Sequence, residues 1–265
     1  MAVNVNDIAI TSLETITAFD YLTGAYSFTL DELQNASLEN TEDTQDVTGK
    51  GGRLLTQLKR NKGLTVSGSN GLVSGGLLSA QTGGDFKNQA TTVMWTDYLT
   101  VTDNKATTTY TAVGTAGAEI RELHIRNNNG TLGADLEQAD TAAEGKFAYD
   151  PKTKALTFVG LANCEIVVIY DRKITADVLQ NVTDVYSKKC ALYLDALGED
   201  KCGNVYRIQF FMPKCEFSGQ FTIEFGDNQT THDFEAKTMA GACVSGSAST
   251  IWTYTIFGVD TKDAT

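Results

Sequence analysis

The 265 residues carry 33 acidic and 21 basic side chains, a formal charge of −12, with 42% apolar and 9% aromatic residues. So acidic a chain repels phosphate backbones, which excludes tight nucleic-acid binding unless its few bases cluster, and its apolar share excludes wholesale disorder. No apolar run reaches the roughly 18 residues of a membrane span, and the opening MAVNVNDIAITSL has an acid where a secretory signal carries bases; an uncleaved chain made in the cytoplasm is expected.

Two prolines against 24 glycines, many Thr and Asn residues and few 3.6-period apolar stripes predict strands rather than helices. The first clear strand is AYSFTL, which puts Tyr26, Phe28 and Leu30 on one face and Ser27 and Thr29 on the other. Around it the charges segregate. Residues 1–49 hold nine acids and no base, residues 50–62 hold five bases and no acid, and residues 63–84 hold no charge. The acids of the second half of this arm are Asp31, Glu32, Glu39, Glu42, Asp43 and Asp46; the bases are Lys50, Arg53, Lys59, Arg60 and Lys62. Two readings stay open: a solvated loop whose charges cancel within one molecule, or a long hairpin whose acidic limb meets the basic limb of another copy.

Next, Asn70 is placed to cap a short helix running through Leu72, Val73, Leu77 and Ala80 to Gly83 at the C′ position. The interior Gly75 and Gly76 cost such a helix roughly 1 kcal/mol each, so their expected use is close packing against a sheet. The Thr-rich stretch from Asp97 to Gly117 is a candidate start for an added hairpin or subdomain. Strands follow at Ile120–Arg126, KFAYD, ALTFV and EIVVIYD, with turn chemistry in NNNG and DPKTK. ITADVLQNV near Ile174 is a second, weak helix candidate. CALYLDAL and NVYRIQFFM flank a turn at Glu199 to Gly203. From Glu216 to Phe225 the odd positions are Phe217, Gly219, Phe221, Ile223 and Phe225, while Glu216, Ser218, Gln220, Thr222 and Glu224 form the wet face of the same predicted strand. THDFEAK and IWTYTIF close the set. No repeat of fixed period occurs.

Chemistry is sparsely supplied. The two histidines, His124 and His232, fall in predicted strands outside any ligand-spaced motif, and His232 reads as a half-buried sheet residue. GKGGR from Gly49 is glycine-rich and basic but lacks phosphate-loop spacing. Glu42, Asp43 and Asp46 lack calcium-loop spacing. Cys164, Cys190, Cys202, Cys215 and Cys243 are five scattered residues read as reduced thiols, although Cys190 and Cys202 could meet across a hairpin. The expectation is no enzyme, no metal and no cofactor.

GKGGRLLTQLKRNKGLTVSGSNGLVSGGLLSAQTGG (Gly49 to Gly84) and NVYRIQFFMPKCEFSGQFTIEFGDNQTTHDFEAKTMAG (Asn204 to Gly241), with the closing IWTYTIF, resemble regions of bacteriophage major tail proteins, the tail tube family. The resemblance implies a mainly β protein: a β-sandwich or barrel protomer with one short flanking helix and a long charged hairpin loop, assembling into a ring with a continuous inner β-barrel. It implies a single tail-tube-like domain over 1–265, an inter-ring loop at 31–62 formed by the eleven charged residues named above, and an outer elaboration or further strands at 103–190. Glu216, Ser218, Gln220, Thr222 and Glu224 are then expected to face the lumen. Implied partners are further copies in stacked hexameric rings, the tape-measure protein and transiting DNA without tight binding, and a sheath or tail terminator protein; no membrane is involved. The expected place is the tail of a virion made in a bacterial host. The alternatives are an acidic β-sandwich adhesin, or another virion structural subunit such as a decoration or baseplate protein.

Overall fold

The computed structural model describes residues 7–226, 230–239 and 250–258. Its first elements are β1 (Ile8–Asp20), β2 (Tyr26–Leu30), β3 (Leu33–Thr48), β4 (Leu54–Asn70) and α1 (Gly75–Thr82). There follow β5 (Lys87–Val101), β6 (Lys105–Thr107), β7 (Ile120–Arg126), β8 (Leu132–Asp135), β9 (Glu137–Gln138), β10 (Lys146–Asp150), β11 (Ala155–Thr157) and β12 (Cys164–Val178). The last are β13 (Lys189–Asp200), β14 (Val205–Phe217), β15 (Ile223–Glu224), β16 (Thr231–Thr238) and β17 (Thr253–Gly258). The protein is mainly β, as its composition predicts, and divides into two compact units: Met1–Phe86 with Leu179–Thr265, and Lys87–Val178. The second unit overlaps the 103–190 segment set apart by sequence.

The first unit is one nine-stranded antiparallel sheet in the order β2-β1-β13-β14-β16-β4-β3, with β17 added to β14 and β15 to β16. Its strands alternate. In β13, Cys190, Leu192, Leu194 and Ala196 are buried while Ala191, Tyr193 and Asp195 face the other way. The buried set joins Ile16 and Ala18 of β1, Phe28 and Leu30 of β2, Leu64 and Val66 of β4, Met212 and Phe217 of β14, and Phe234 of β16. Strands from both ends of the sheet thus share one core, each fully buried large side chain contributing about 1.5–3 kcal/mol. Leu77 and Ala80 of α1 complete it.

The helix ends where the sequence predicts and starts later. Ser74, not Asn70, is its N-cap, with its Oγ accepting from the Leu77 N–H, and Gly83 closes it at φ 78°. Asn70 instead ends β4, buried, and donates its side-chain amide to the Leu72 carbonyl. Sheet pairing of Asn70 with both Leu33 and His232 outcompetes the cap. Gly76 has the expected packing role: a Cβ there would lie 2.4 Å from the Phe28 Cβ.

In the second unit β5-β12-β7-β8 form one antiparallel sheet and β6-β11-β10-β9 a second, mixed one in which β9 and β10 run parallel. Val101, Leu123, Ile166 and Val168 of the first share a core with Ala106, Phe147 and Leu156 of the second. The expected helix at ITADVLQNV does not form. Its first residues continue β12, paired with β5 without a break from Cys164↔Val101 to Val178↔Lys87. A fifteen-residue ladder overrides the weak helical signal of a few residues at its end.

Candidate functional site

β4 pairs with β16 only over Thr65 to Asn70. Beyond Thr65, β3 and β4 pair with each other alone, through Thr44↔Lys59, Asp46↔Gln57 and Val47↔Thr56, to a turn at Lys50–Gly52. The result is a two-stranded arm about ten residues long per strand, roughly 30–35 Å at strand rise. GKGGR is its tip, a turn between two strands rather than a phosphate loop leading into a helix.

The arm neutralises part of its own charge. A register shift between Thr41 and Asp43 points both Lys59 and Lys62 at Glu42, with Nζ···Oε distances of 3.0 and 3.3 Å. The Lys59 hydrogen bond, then that of Lys62, holds the Glu42 carboxyl below its ordinary pKa. Asn61 donates to Asp43 (2.9 Å) and Gln57 to Asp46 (2.8 Å). Arg60 lies opposite Asp43 in register, Glu39 opposite Thr65, and Arg53 just past the Lys50–Gly52 turn. Asp31 and Glu32 lie apart, in the connection from β2 to β3 at the sheet end of the arm. Lys50, Arg53 and Arg60 form no ion pair among the described residues.

Sequence reasoning missed the apolar part of this tip. Leu54, Leu55 and Leu58 are 52%, 58% and 41% exposed, a cluster of apolar surface on an otherwise polar arm. The LLTQL spacing within the basic segment is the signal that could have shown it.

The predicted strand at Glu216 to Phe225 is broken. β14 ends at Phe217, residues 218–222 are irregular, and β15 holds only Ile223 and Glu224, with Phe225 87% exposed. Glu216, Ser218, Gln220, Thr222 and Glu224 therefore do not share one strand face. The Ser218 N–H donates to the Glu235 carbonyl, and the Thr222 carbonyl accepts from the Asp233 N–H, so β16 holds this segment only at points. Glu216 itself points away from the core and accepts from Ser187 Oγ at 2.9 Å.

The sheet of the first unit has a broader open face, opposite its core. A row of cross-strand neighbours runs Thr29, Thr17, Tyr193, Phe211 and Thr253 across β2, β1, β13, β14 and β17. Tyr193 and Phe211 stack with centroids 4.4 Å apart, and Phe19 meets Tyr193 edge-on at 5.6 Å. In the next row Gln209 donates to Asp195 (2.9 Å). A cleft of about 580 Å³ opens over Phe19, Tyr193, Asp195, Gln209 and Phe211.

Titratable groups elsewhere serve the fold. His232 is fully buried, more so than the sequence suggests, with Nε2 2.8 Å from the Gln81 side-chain oxygen. Burial lowers its pKa. Cys190 and Cys202 lie at opposite ends of β13; the cross-strand neighbour of Cys190 is Cys215, whose thiol donates to the Cys190 carbonyl at 3.2 Å. Burial pushes the Cys190 thiol up to about 11 and holds the Cys215 thiol well above its ordinary value. The four described cysteines are free, and Cys243 lies outside the described residues. Among the described residues no three His, Cys, Asp or Glu side chains converge as metal ligands, and no helix is long and apolar enough to cross a membrane.

No curated protein matches the sequence. A family model does: residues 8–251 match that of the YomU/Tube protein family, a span that takes in the arm, the whole second unit and every strand of the open sheet face but β17, and the chain belongs to this family of phage tube proteins.

Proposed function

We propose that the chain is the structural subunit of a phage tail tube, with the arm at residues 31–62 as the contact between successive rings. The observation that carries this reading is the arm itself. A ribbon some 30–35 Å long that among the described residues pairs with nothing but itself, and carries three exposed leucines toward its tip, leaves apolar surface and strand edges that a second copy can cover. Lys50 and Arg53 at the tip, and Arg60 further down the arm, can meet acids of another protomer in a chain of charge −12.

Copies then close into rings, hexameric in the resembling family, and stack as a conduit for the tape-measure protein and the ejected genome. A sheath or terminator protein would meet the outer or end surfaces. The open face bearing Thr17, Asp195, Gln209 and Glu216 is the part of the first unit suited to line the lumen. Its Asp195 and Glu216 carboxylates, with Lys189 and Lys237 as cross-strand neighbours of Glu216, give DNA no uniformly basic surface to hold it. No step of this role calls for catalysis.

Negative-stain electron microscopy of the purified, concentrated protein over a range of salt tests the reading. Rings or hollow tubes of uniform width support it. Monodisperse single copies at every concentration and salt, with and without preformed tail-tip complexes as initiators, overturn it.

A further inference from the structure

The second unit carries a cation that the tube role does not use. Arg172 of β12 lies with its guanidinium carbon 3.6 Å from the ring centroid of Tyr110 and 4.8 Å from that of Trp95. It forms no ion pair among the described residues, and its Nε–H is buried with no acceptor. The adjacent acid, Asp171, is taken by Arg121, whose Nε donates to it at 2.9 Å. The nearby buried acid, Asp97, is taken too. Its Oδ1 accepts from Trp95 Nε1 (2.9 Å), and its Oδ2 accepts from the Thr109 N–H (2.7 Å) and the Tyr170 hydroxyl (2.8 Å). Those donors keep the Asp97 carboxyl ionised despite its burial.

The loop that places Tyr110 is fixed at each step. Tyr110 N–H donates to the Tyr170 hydroxyl (3.0 Å), Ala112 N–H to the Tyr149 hydroxyl (2.9 Å) and Val113 N–H to the Asp171 carbonyl (2.8 Å). Both acids are thus spent on holding the frame, and the frame holds Arg172 between two rings with its charge uncompensated. A cleft of about 400 Å³ opens there, lined by Tyr110, Thr111, Val113, Arg172, Lys173 and Ile174. Lys173, the next residue of β12, is exposed and turns its side chain to the opposite face of the strand.

A cation without a counter-charge at one end of a cleft suits a carboxylate or phosphate, for which the planar guanidinium supplies a fork of donors. The cleft is far larger than the roughly 30 Å³ share of one water, and its remaining walls combine an aromatic ring, a hydroxyl and two aliphatic side chains. A ring with hydroxyls and apolar faces matches such walls. We infer that the cleft between β12 and the Tyr110 loop binds an acidic saccharide, its anionic group held by Arg172 and its ring set against Tyr110 and Val113.

The test uses the full chain carrying Trp252→Phe, which leaves Trp95 as the single tryptophan reporter. Its fluorescence is titrated with glucuronate, glucose 1-phosphate, inorganic phosphate and glucose. A saturable change with glucuronate alone assigns a carboxylate sugar, with glucose 1-phosphate alone a phosphorylated one, and with both a site that reads charge; inorganic phosphate is expected to bind more weakly and glucose not to bind. Arg172→Lys, which keeps the charge but loses the fork and the ring stacking, is expected to weaken binding by about tenfold or more. Thr111→Glu places a carboxylate at an exposed residue of the cleft wall and serves where Arg172→Lys lowers the melting temperature; it too must weaken binding. No saturable change with either acidic sugar up to about 50 mM, well past the millimolar range of weak sites, overturns the inference. Binding unaltered by Thr111→Glu, or glucose binding as well as the acids, does so equally.

Discussion

Lys59 Nζ lies 3.0 Å from a carboxylate oxygen of Glu42 on the facing strand of the same arm, and Lys62 reaches the other oxygen at 3.3 Å. The acidic and basic runs, which the sequence leaves free to meet within one molecule or between two, are thus joined within the molecule at this point. Exposed pairs of this kind contribute little singly and weaken with salt. What remains for contact with another copy is Lys50 and Arg53 at the tip, and Arg60 beside the Glu42 cluster.

Charge substitutions should separate the two uses. Arg53→Glu with Arg60→Glu is expected to give a protomer with an unchanged melting temperature that no longer forms tubes. Lys59→Gln leaves Lys62 on Glu42 and should form tubes as before. Electron microscopy and sedimentation of the two proteins at one concentration check this, and tubes from the double reversal would show that the free bases of the arm are dispensable.

The leucines at the tip make a second prediction. Changing Leu54, Leu55 and Leu58 together to Ser removes apolar surface already exposed in the protomer, so its stability should move by no more than about 0.5 kcal/mol. Assembly should rise in critical concentration by tenfold or more, since each buried leucine of an interface is worth about 1.5–3 kcal/mol. Urea unfolding of the protomer and sedimentation of the assembly read the two effects separately.

Gly76 is fixed by packing rather than by backbone angle. Alanine gains roughly 1 kcal/mol in helix propensity, yet its Cβ must displace the Phe28 ring and backbone-side carbon, an overpacking of about 1–3 kcal/mol in a filled core. Net destabilisation is expected for Gly76→Ala, and a smaller cost of the same change in a Phe28→Ala background, which removes the Cγ and the ring. A double-mutant cycle by urea denaturation measures the coupling, and equal stability of Gly76→Ala and the wild type would refute the contact.

His232 predicts a pH dependence. Burial depresses its folded pKa below the ordinary 6.5, so between those values the unfolded chain binds more protons than the folded one. Stability should be fully present above about pH 6.5 and fall as the pH is lowered beneath it. His232→Asn should flatten this slope between pH 7.5 and 5 while lowering stability throughout, because the Gln81 side chain loses its buried partner. Chemical denaturation at several pH values gives the slope directly.

Strand identity was legible wherever alternation was regular and flanked by turns. Tyr26–Leu30, Ile120–Arg126 and the pair Lys189–Asp200 and Val205–Phe217 follow their sequence patterns, because a period of two on a half-buried strand is a local property. The helix end was legible for the same reason: Gly83 at φ 78° is a requirement of the chain at that residue. The Glu216 to Phe225 run shows the limit. Its alternation is as good as any, yet β16 takes up Phe217 and Ile223 and leaves the residues between them outside the ladder.

By itself, then, the sequence determined the mainly β class, the charge-segregated hairpin, the glycine-closed helix and the two blocks that resemble phage tail proteins. Pairing partners were decided only in three dimensions: that Glu42 takes Lys59 and Lys62, that Tyr193 stacks on Phe211, and that Asp97 binds Trp95, Thr109 and Tyr170 while Arg172 rests on two rings. Periodicity fixes which way a side chain faces on its own strand. Which strand lies beside it, and in what register, depends on burying one shared core from segments more than a hundred residues apart, and that sum is written in no single stretch of the chain.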